Sequence, residues 1–181
     1  MAPHPAIIGT VIRLRSAHHS GGPLLYAPDI WYDQAKSKSQ AVLWKELPSA
    51  DIESKASFHV EAVDGAPGQV RLRSAHWGGY MYAADIAFQF DSNRRSELLI
   101  WRGGVLDDVL SKARFYVEGV DGAADQLRLR SVHFGGAVLY APEISFEHDS
   151  NKRGQAILWR ESPSADILSK ARFSIVTAHA S

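Results

Sequence analysis

Short stretches in which hydrophobic and polar residues alternate, separated by turn residues, make up most of the chain. In the stretch "QVRLRS", Val70 and Leu72 alternate with Arg71 and Arg73, so one face enters a core and the other carries two guanidinium groups. A helical stripe with a period of 3.6 residues does not fit this pattern. The alternation predicts a β-strand here, and three more in the stretches "YMYAAD", "ELLIWR" and "RFYVEGV" that follow.

This four-strand unit occurs three times. The phrase "RLRSAHWGGYMYA" begins at Arg71, and near-copies begin at Arg13 and Arg128. Asp-Gly pairs at 64–65 and 121–122 predict the turns between copies. We therefore predict one domain over residues 1–181, with repeats at approximately 8–65, 66–122 and 123–181. Within the middle copy, the stretch from Trp101 to Arg114 predicts a loop with a helical turn.

The repeated residues resemble a known superfamily. The patterns "LRS.H.GG.LYA" early in each copy and "F.V...DG" late in each are similar to those of β-trefoil proteins, and most of all to fascin and hisactophilin. The resemblance covers about residues 8 to 178 and implies an all-β, β-trefoil fold, in which three four-stranded repeats close a barrel with a hairpin cap. Such closure hides the strand edges. This fold hosts lectins, actin bundlers, protease inhibitors and growth factors, so it does not fix an activity.

Composition narrows the function classes. Twenty basic residues balance twenty acidic ones, so no overall positive field favours nucleic acid as a partner. There is no cysteine, no signal-peptide pattern and no run of ~20 apolar residues, which predicts a cytoplasmic protein without membrane insertion. The common catalytic and cofactor-binding motifs are absent, so we expect neither an enzyme nor a cofactor.

Alternation within the second strand separates core from candidate site residues. Leu25, Met81 and Leu139 match the inward leucine of the fascin-like pattern, so the resemblance implies that they point into the core. The opposite face then carries Tyr26, Tyr82 and Tyr140. These tyrosines either cover a hydrophobic rim or offer rings to a ligand. The residues predicted to be core are Trp44, Trp101, Trp159, Phe58, Phe115 and Phe173. Trp77 differs, because it falls in the turn "HWGG", where an exposed ring suggests a ligand.

Polar residues also recur at equivalent positions. A histidine precedes the glycine turn in each copy, at His18, His76 and His133. Turns of this kind lie far apart around a threefold axis, so we predict no metal site, and each imidazole either ties its turn or bonds a ligand hydroxyl. The loops "DSNRRSE" and "DSNKRGQ" carry Asn93 and Asn151, and are either solvated turns or donors and acceptors for a sugar.

The first functional hypothesis is a lectin with up to three related sugar sites, whose partners are glycans or glycoproteins. The candidate sites are His18, Tyr26 and Asp29; His76, Tyr82 and Asp85; and His133, Tyr140 and Glu143, with Trp77, Asn93 and Asn151 as additions. The second is a fascin-like actin binder that uses outward arginines at 13, 15, 71, 73, 128 and 130. A protease inhibitor is a third alternative, with "LPSADIESK" as its reactive loop, although the close copy "SPSADILSK" argues against it.

Overall fold

The computed structural model describes residues 7–35, 37–89, 94–146 and 152–177. The predicted Asn93 and Asn151 lie outside these residues. The first copy contains β1 (Val11–Ser16), β2 (Leu24–Tyr26), β3 (Lys38–Gln40), β4 (Val42–Trp44), α1 (Ala50–Lys55) and β5 (Phe58–Ala62). The second contains β6 (Gln69–Ser74), β7 (Tyr80–Ala87), β8 (Arg95–Trp101), α2 (Asp107–Lys112) and β9 (Phe115–Val120). The third contains β10 (Ala123–Ser131), β11 (Ala137–Tyr140), β12 (Arg153–Gln155), β13 (Ile157–Trp159), α3 (Ala165–Lys170) and β14 (Phe173–Thr177).

The all-β prediction is confirmed, and the predicted strands of the middle copy match β6 to β9 closely. The predicted helical turn after Trp101 is α2, a helix of six residues. Equivalent helices at the same place in the other two copies, α1 and α3, are capped by Ser49 and Ser164, whose hydroxyls each accept the backbone N–H three residues later at 3.3 Å.

The first and last strands of the copies pair in a ring. β1 pairs with β5, β5 with β6, β6 with β9, β9 with β10, β10 with β14, and β14 with β1, all antiparallel. The inner strands link the copies a second time: β3 pairs with β8 of the second copy, β8 with β13 of the third, and β12 with β4 of the first. Each copy is therefore bonded to both of the others.

One large core lies inside this ring. It contains the three predicted inward residues of the second strands, Leu25, Met81 and Leu139, and the fully buried Phe58, Phe115 and Phe173. Alternation along β1 and β6 gives the pattern of half-buried and buried residues that the sequence predicts. Burying this apolar surface is the main favourable term in the stability of a chain without disulfides.

Three smaller clusters lie outside the ring, one under each helix. Ile52 and Ala56 cover Tyr26, Val109 and Ala113 cover Tyr82, and Ile167 and Ala171 cover Tyr140. The neighbouring copy also contributes a ring to each cluster, from Phe146, Tyr32 and Phe88 in the same order. The predicted core tryptophans, Trp44, Trp101 and Trp159, are half-buried at the edges of these clusters.

The first arginine of each repeated phrase has a structural role. Arg13, Arg71 and Arg128 each donate from Nε at 3.1 Å to a carbonyl oxygen in the last turn of the nearby helix, on Glu53, Leu110 and Leu168 respectively. Each of these carbonyls also accepts the N–H of the residue that caps its helix, so the guanidinium adds a charge-assisted bond at the negative end of the helix. The arginines therefore recur because each helix needs an anchor on the ring.

Candidate functional site

A buried serine fixes the turn that carries each candidate histidine. The hydroxyls of Ser16, Ser74 and Ser131 accept the backbone N–H of His19, Trp77 and Phe134 at 3.3, 3.0 and 3.2 Å. A serine hydroxyl that is buried away from water needs a hydrogen-bond partner within the protein, and the backbone N–H of the turn supplies it. The last residue of "RLRS" is thus the anchor of the turn, a role that the sequence pattern had suggested for the histidines.

Each anchored turn meets the segment that follows the buried tyrosine of the preceding copy, and we call this meeting place a seam. The first seam joins segment 27–31 to turn 74–79. The second joins segment 83–87, the end of β7, to turn 131–136, and the third joins segment 141–145 to turn 16–22. In the first seam Trp77 Nε1 donates to the Ala27 carbonyl at 2.8 Å. In the third seam His19 Nε2 lies 2.8 Å from the Ala141 carbonyl, so Nε2 carries the proton.

The seams correct the predicted grouping of the site residues, because histidine and acid come from different copies. His133 of the third copy lies 2.8 Å from Asp85 of the second, measured from Nε2 to Oδ1. His18 of the first copy lies 3.6 Å from Glu143 of the third, measured from Nε2 to Oε1. The sets that placed His133 with Glu143, and His18 with Asp29, therefore do not form.

The tyrosines of the predicted sites are also corrected. Tyr26, Tyr82 and Tyr140 do point away from the main core, but they are only 1%, 4% and 1% exposed because the helices cover them. Burial raises the pKa of Tyr82 above its usual range. The Tyr26 hydroxyl accepts a hydrogen bond from Arg153 Nε at 2.7 Å. A ring enclosed in this way cannot stack against a ligand, so the alternative in which the tyrosines serve packing holds.

The first seam is filled by the chain itself. The guanidinium of Arg102 lies between the rings of Trp31 and Trp77, 3.8 Å from each centroid. The same group donates to Asp29 Oδ1 at 3.2 Å and to Ser39 Oγ at 3.0 Å. His76, the candidate histidine of the second copy, is hydrogen-bonded through Nδ1 to Ser54 Oγ at 3.0 Å. Trp77 was predicted as a ligand-binding ring, but its face is covered by Arg102 and its N–H is already bonded.

The second seam is closed by an ion-pair network. Asp85 accepts from His133, and its other oxygen, Oδ2, lies 2.9 Å from Lys112 Nζ. The hydrogen bond from Lys112, followed by that from His133, holds the pKa of Asp85 below its usual range. The bond to Asp85 correspondingly raises the pKa of Lys112. Asp85 therefore stabilises the contact between the second and third copies.

The third seam contains a pocket of about 310 Å³. Its walls are formed by His19, Ser20, Pro23, Leu43, Lys45, Pro142, Glu143, Ile144, Ser145 and Gly154. The pocket exists because the bulky groups of the first seam have small or short counterparts here. Ser145 replaces Trp31, and the two residues make equivalent bridges, to Gly154 and Ser39.

Two further replacements complete the pocket. His19 stands where the first seam has Trp77, and Lys45 stands where it has Arg102. Lys45 Nζ lies 3.4 Å from Ser145 Oγ, and a Cβ added to Gly154 would lie 3.1 Å from the Lys45 side chain. The pocket thus combines one ammonium, one carboxylate, two hydroxyls and an imidazole with apolar proline and isoleucine surface.

Several residues of this pocket were missed by the sequence analysis, namely Lys45, Ser145 and Gly154. The predicted site residues lie at positions that repeat, whereas these three depart from the repeat: lysine replaces arginine, serine replaces tryptophan, and glycine replaces serine. The departures were readable in the sequence, but their convergence at one seam depends on pairing between β12 of the third copy and β4 of the first.

The arginines proposed for actin binding are largely engaged by neighbouring groups. Arg73 pairs with Glu61 at 2.7 Å, and Arg130 pairs with Glu118 at 2.6 Å. Arg15 donates to the Gly22 carbonyl at 3.0 Å. The two carboxylates offset part of the positive charge that the three basic patches would need. Actin binding stays an untested prediction.

Among the described residues, no helix is long and apolar enough to span a bilayer. No protein-family model matches the chain. No curated protein matches it either.

Comparison with solved structures identifies the fold, which is the β-trefoil. An SDF2-like protein from Arabidopsis thaliana superposes with a TM-score of 0.66 at 14% identity, over 93% of each chain. The BEL β-trefoil superposes with a TM-score of 0.59 at 13% identity, over 97% of each chain. A lectin from Polyporus squamosus superposes with a TM-score of 0.61 at 13% identity, over 98% of this chain and 50% of the lectin. The predicted β-trefoil resemblance is therefore confirmed for the fold.

Proposed function

We propose that this protein is a carbohydrate-binding protein, a lectin that holds a sugar in the pocket of the third seam. The observation that carries the proposal is the pocket itself, at the place where the first seam holds Trp31 and Arg102 instead. Its volume of about 310 Å³ suits a small ligand, since ligand pockets start at roughly 300 Å³. Of the up to three related sites that the repeats predict, only the one in the third seam is proposed to bind sugar.

The lining groups suit the surface of a sugar. Glu143 accepts hydrogen bonds, Lys45 donates them, and the hydroxyls of Ser20 and Ser145 do both, which matches neighbouring hydroxyls of a saccharide. Pro142 and the opposite Pro23 offer apolar surface to the C–H groups of the ring. His18 lies 3.6 Å from the carboxylate of Glu143, which lines the pocket. His18 and Glu143 are thus the members of the predicted set that the proposal retains.

Three of the similar structures have names that mention sugars. The Polyporus squamosus lectin is bound to an influenza-binding epitope, a yeast protein O-mannosyltransferase complex is bound to its sugar donor, and a third is an arabinofuranosidase. The identities to this chain are 16% or below, so the sugar ligands and activities in these names belong to those three proteins. The shared fold supports the proposal that this chain binds a sugar, and we propose binding without a chemical step.

The test uses a substitution that the chain itself provides. Ser145→Trp places in the third seam the indole that Trp31 places in the first, and Ser145 is exposed at the pocket mouth, so the fold should tolerate the ring. The control is Ala87→Trp, which adds the same side chain at the equivalent exposed position of the second seam. Wild type and both variants are applied to a neutral-glycan array, and the best monosaccharide is then titrated by calorimetry.

We expect the wild type and Ala87→Trp to bind the same glycans, with an affinity near the millimolar range for one shallow site. Ser145→Trp should lose binding while keeping its circular dichroism spectrum and melting temperature. Equal binding by Ser145→Trp and wild type would reject the third seam as the site. An array without any bound glycan for the wild type would reject the lectin function.

A further inference from the structure

A second depression, of about 430 Å³, lies on the outer side of the turn at 134–136 in the third copy. The lining residues are Tyr116, Arg130, Phe134, Gly135, Gly136, Ala137, Arg160, Glu161, Ser162 and Pro163. This set shares no residue with the third-seam pocket. We call it the Arg160 site.

Arg160 occupies the position that Arg102 and Lys45 occupy in the other copies, directly after the tryptophan of the third strand. In the first seam the guanidinium of Arg102 is held by Asp29 and Ser39. The equivalent acid in the second seam is Asp85, which is already bonded to His133 and Lys112. The equivalent serine, Ser96, has no hydrogen bond to its hydroxyl within the described part of the chain. Arg160 is thereby left without the partners that hold Arg102.

The Arg160 guanidinium lies over an aromatic ring. The central carbon of the guanidinium lies 4.7 Å from the centroid of the Phe134 ring. Among the described residues, this is the side-chain contact of Arg160. A guanidinium that lies over a ring uses its flat face, so the N–H groups at its edge stay available for hydrogen bonds in the plane. Two parallel N–H groups match the two oxygens of a carboxylate.

Tyr116 forms another wall and is 43% exposed, which is unusual for a large ring in a strand. The equivalent residues of the other copies, His59 and Ser174, are smaller. Arg130, which pairs with Tyr116 across the strands, is neutralised by Glu118 at 2.6 Å. Glu161 on the rim lies 3.7 Å from Arg94. Among the described residues, Arg160 is thus the cation of this site without a carboxylate partner, beside an open aromatic face.

We propose that the Arg160 site binds an acidic saccharide, with the sugar carboxylate on the edge of the Arg160 guanidinium and the ring of the sugar against Tyr116. An aromatic face binds the C–H side of a pyranose, and the charged fork supplies selectivity for the acid. This site is separate from the third-seam pocket, so the inference does not rest on the proposed function.

The test compares methyl β-D-glucuronide with methyl β-D-glucoside, which have the same ring and differ at the carboxylate. Each is titrated into the ¹⁵N-labelled wild type and into Arg160→Gln, Tyr116→Ser and Lys45→Gln, followed by two-dimensional NMR. Tyr116→Ser copies the residue that the third copy carries at the equivalent position, Ser174. Lys45→Gln removes the cation at the equivalent position in the third seam and is the matched control.

We expect the glucuronide to shift resonances of the turn at 134–136 in the wild type and in Lys45→Gln. Arg160→Gln should weaken this binding about tenfold or more, since it removes a charge-assisted pair of hydrogen bonds. Tyr116→Ser should lower the affinity for the glucuronide and for the glucoside by a similar factor. The proposal is overturned if the glucuronide does not bind at ~10 mM, near the weak limit for a single sugar. It is also overturned if Lys45→Gln abolishes binding and Arg160→Gln does not.

The tests of the third-seam pocket and of the Arg160 site are independent of each other. Loss of neutral-sugar binding in Ser145→Trp concerns the third seam alone, and the same variant should bind the glucuronide as the wild type does. Conversely, Arg160→Gln should leave binding in the third seam unchanged.

Discussion

The guanidinium carbon of Arg102 lies 3.8 Å from the centroid of the Trp31 ring and ties the first copy to the second. Removing that ring tests whether the stack stabilises the fold. Trp31→Ser copies the residue of the third seam, and we expect it to lower the free energy of unfolding by about 1–3 kcal/mol, because Trp31 is half-buried and stacked on a cation. Urea denaturation measures the change. Ser145→Ala, at the equivalent exposed position, should change stability by less than ~0.5 kcal/mol.

The buried tyrosines provide a second prediction. Tyr26→Phe removes the hydroxyl that accepts from Arg153 at 2.7 Å and leaves the packing of the ring intact. We expect a loss of about 1 kcal/mol in stability and no change in the affinity for sugar. Thermal denaturation and calorimetric titration of the same preparation measure the two. A fall in affinity without a fall in stability would return Tyr26 to the binding site.

Glu97 makes the stability depend on pH. It is 8% exposed in β8, and burial raises its pKa from 4.5 to about 7. Since the folded state holds the proton more tightly than the unfolded one, the stabilising effect is complete below pH 4.5 and is lost as pH rises through 7. The total change is on the order of 3 kcal/mol, at about 1.4 kcal/mol for each pH unit between the two pKa values.

Glu97→Gln should abolish this pH dependence. The other copies carry Gln40 and Gln155 at the equivalent positions, so the fold accepts the amide. Wild type and variant are compared by urea denaturation at pH 5 and pH 8. We expect the variant to gain stability relative to wild type at the higher pH. A difference between the two proteins that stays the same at both pH values would show that Glu97 titrates normally.

The ion pairs of Asp85 in the second seam should make the stability of the fold depend on pH in the opposite sense to Glu97. The pKa of Asp85 is lowered, so the stabilising effect of its ion pairs is present above pH 3.8 and is lost as pH falls through the folded value. The carboxylate is half-exposed and screened by solvent, so Asp85→Asn should cost at most ~1 kcal/mol at pH 7. The cost should shrink in 1 M salt, where the Debye length is about 3 Å. An unchanged cost in high salt would mean that packing, rather than charge, explains the effect.

The residues of the repeated phrase illustrate how far the sequence could be interpreted. Leu72 and Val70 alternate with polar residues, and this predicts a strand and its buried face without further information. Ser74 has no such local signal, because its task is to hold a turn in a place without water. The role of Arg71 also needed the structure, since the carbonyl that it binds belongs to Leu110.

The same limit applies to the candidate sites. His133 and Glu143 stand in one copy of the sequence and were assigned to one site, yet His133 binds Asp85, and Glu143 faces His18. Repetition marks what every copy needs for packing. The proposed sugar pocket and the Arg160 site depend instead on where one copy departs from the others.

The sequence by itself determined the strands and their buried faces, because alternation with a period of two is a local property of a strand that hides one face. The triple repeat determined the three copies, and the resemblance of the repeated phrases implied the β-trefoil fold. Only the tertiary structure decided what covers the opposite face. Tyr26 points away from the main core, as alternation requires, but α1 buries it, while Ser145 in the third seam leaves a pocket open. Alternation fixes the direction of a side chain, whereas its exposure depends on residues that distant parts of the chain bring beside it.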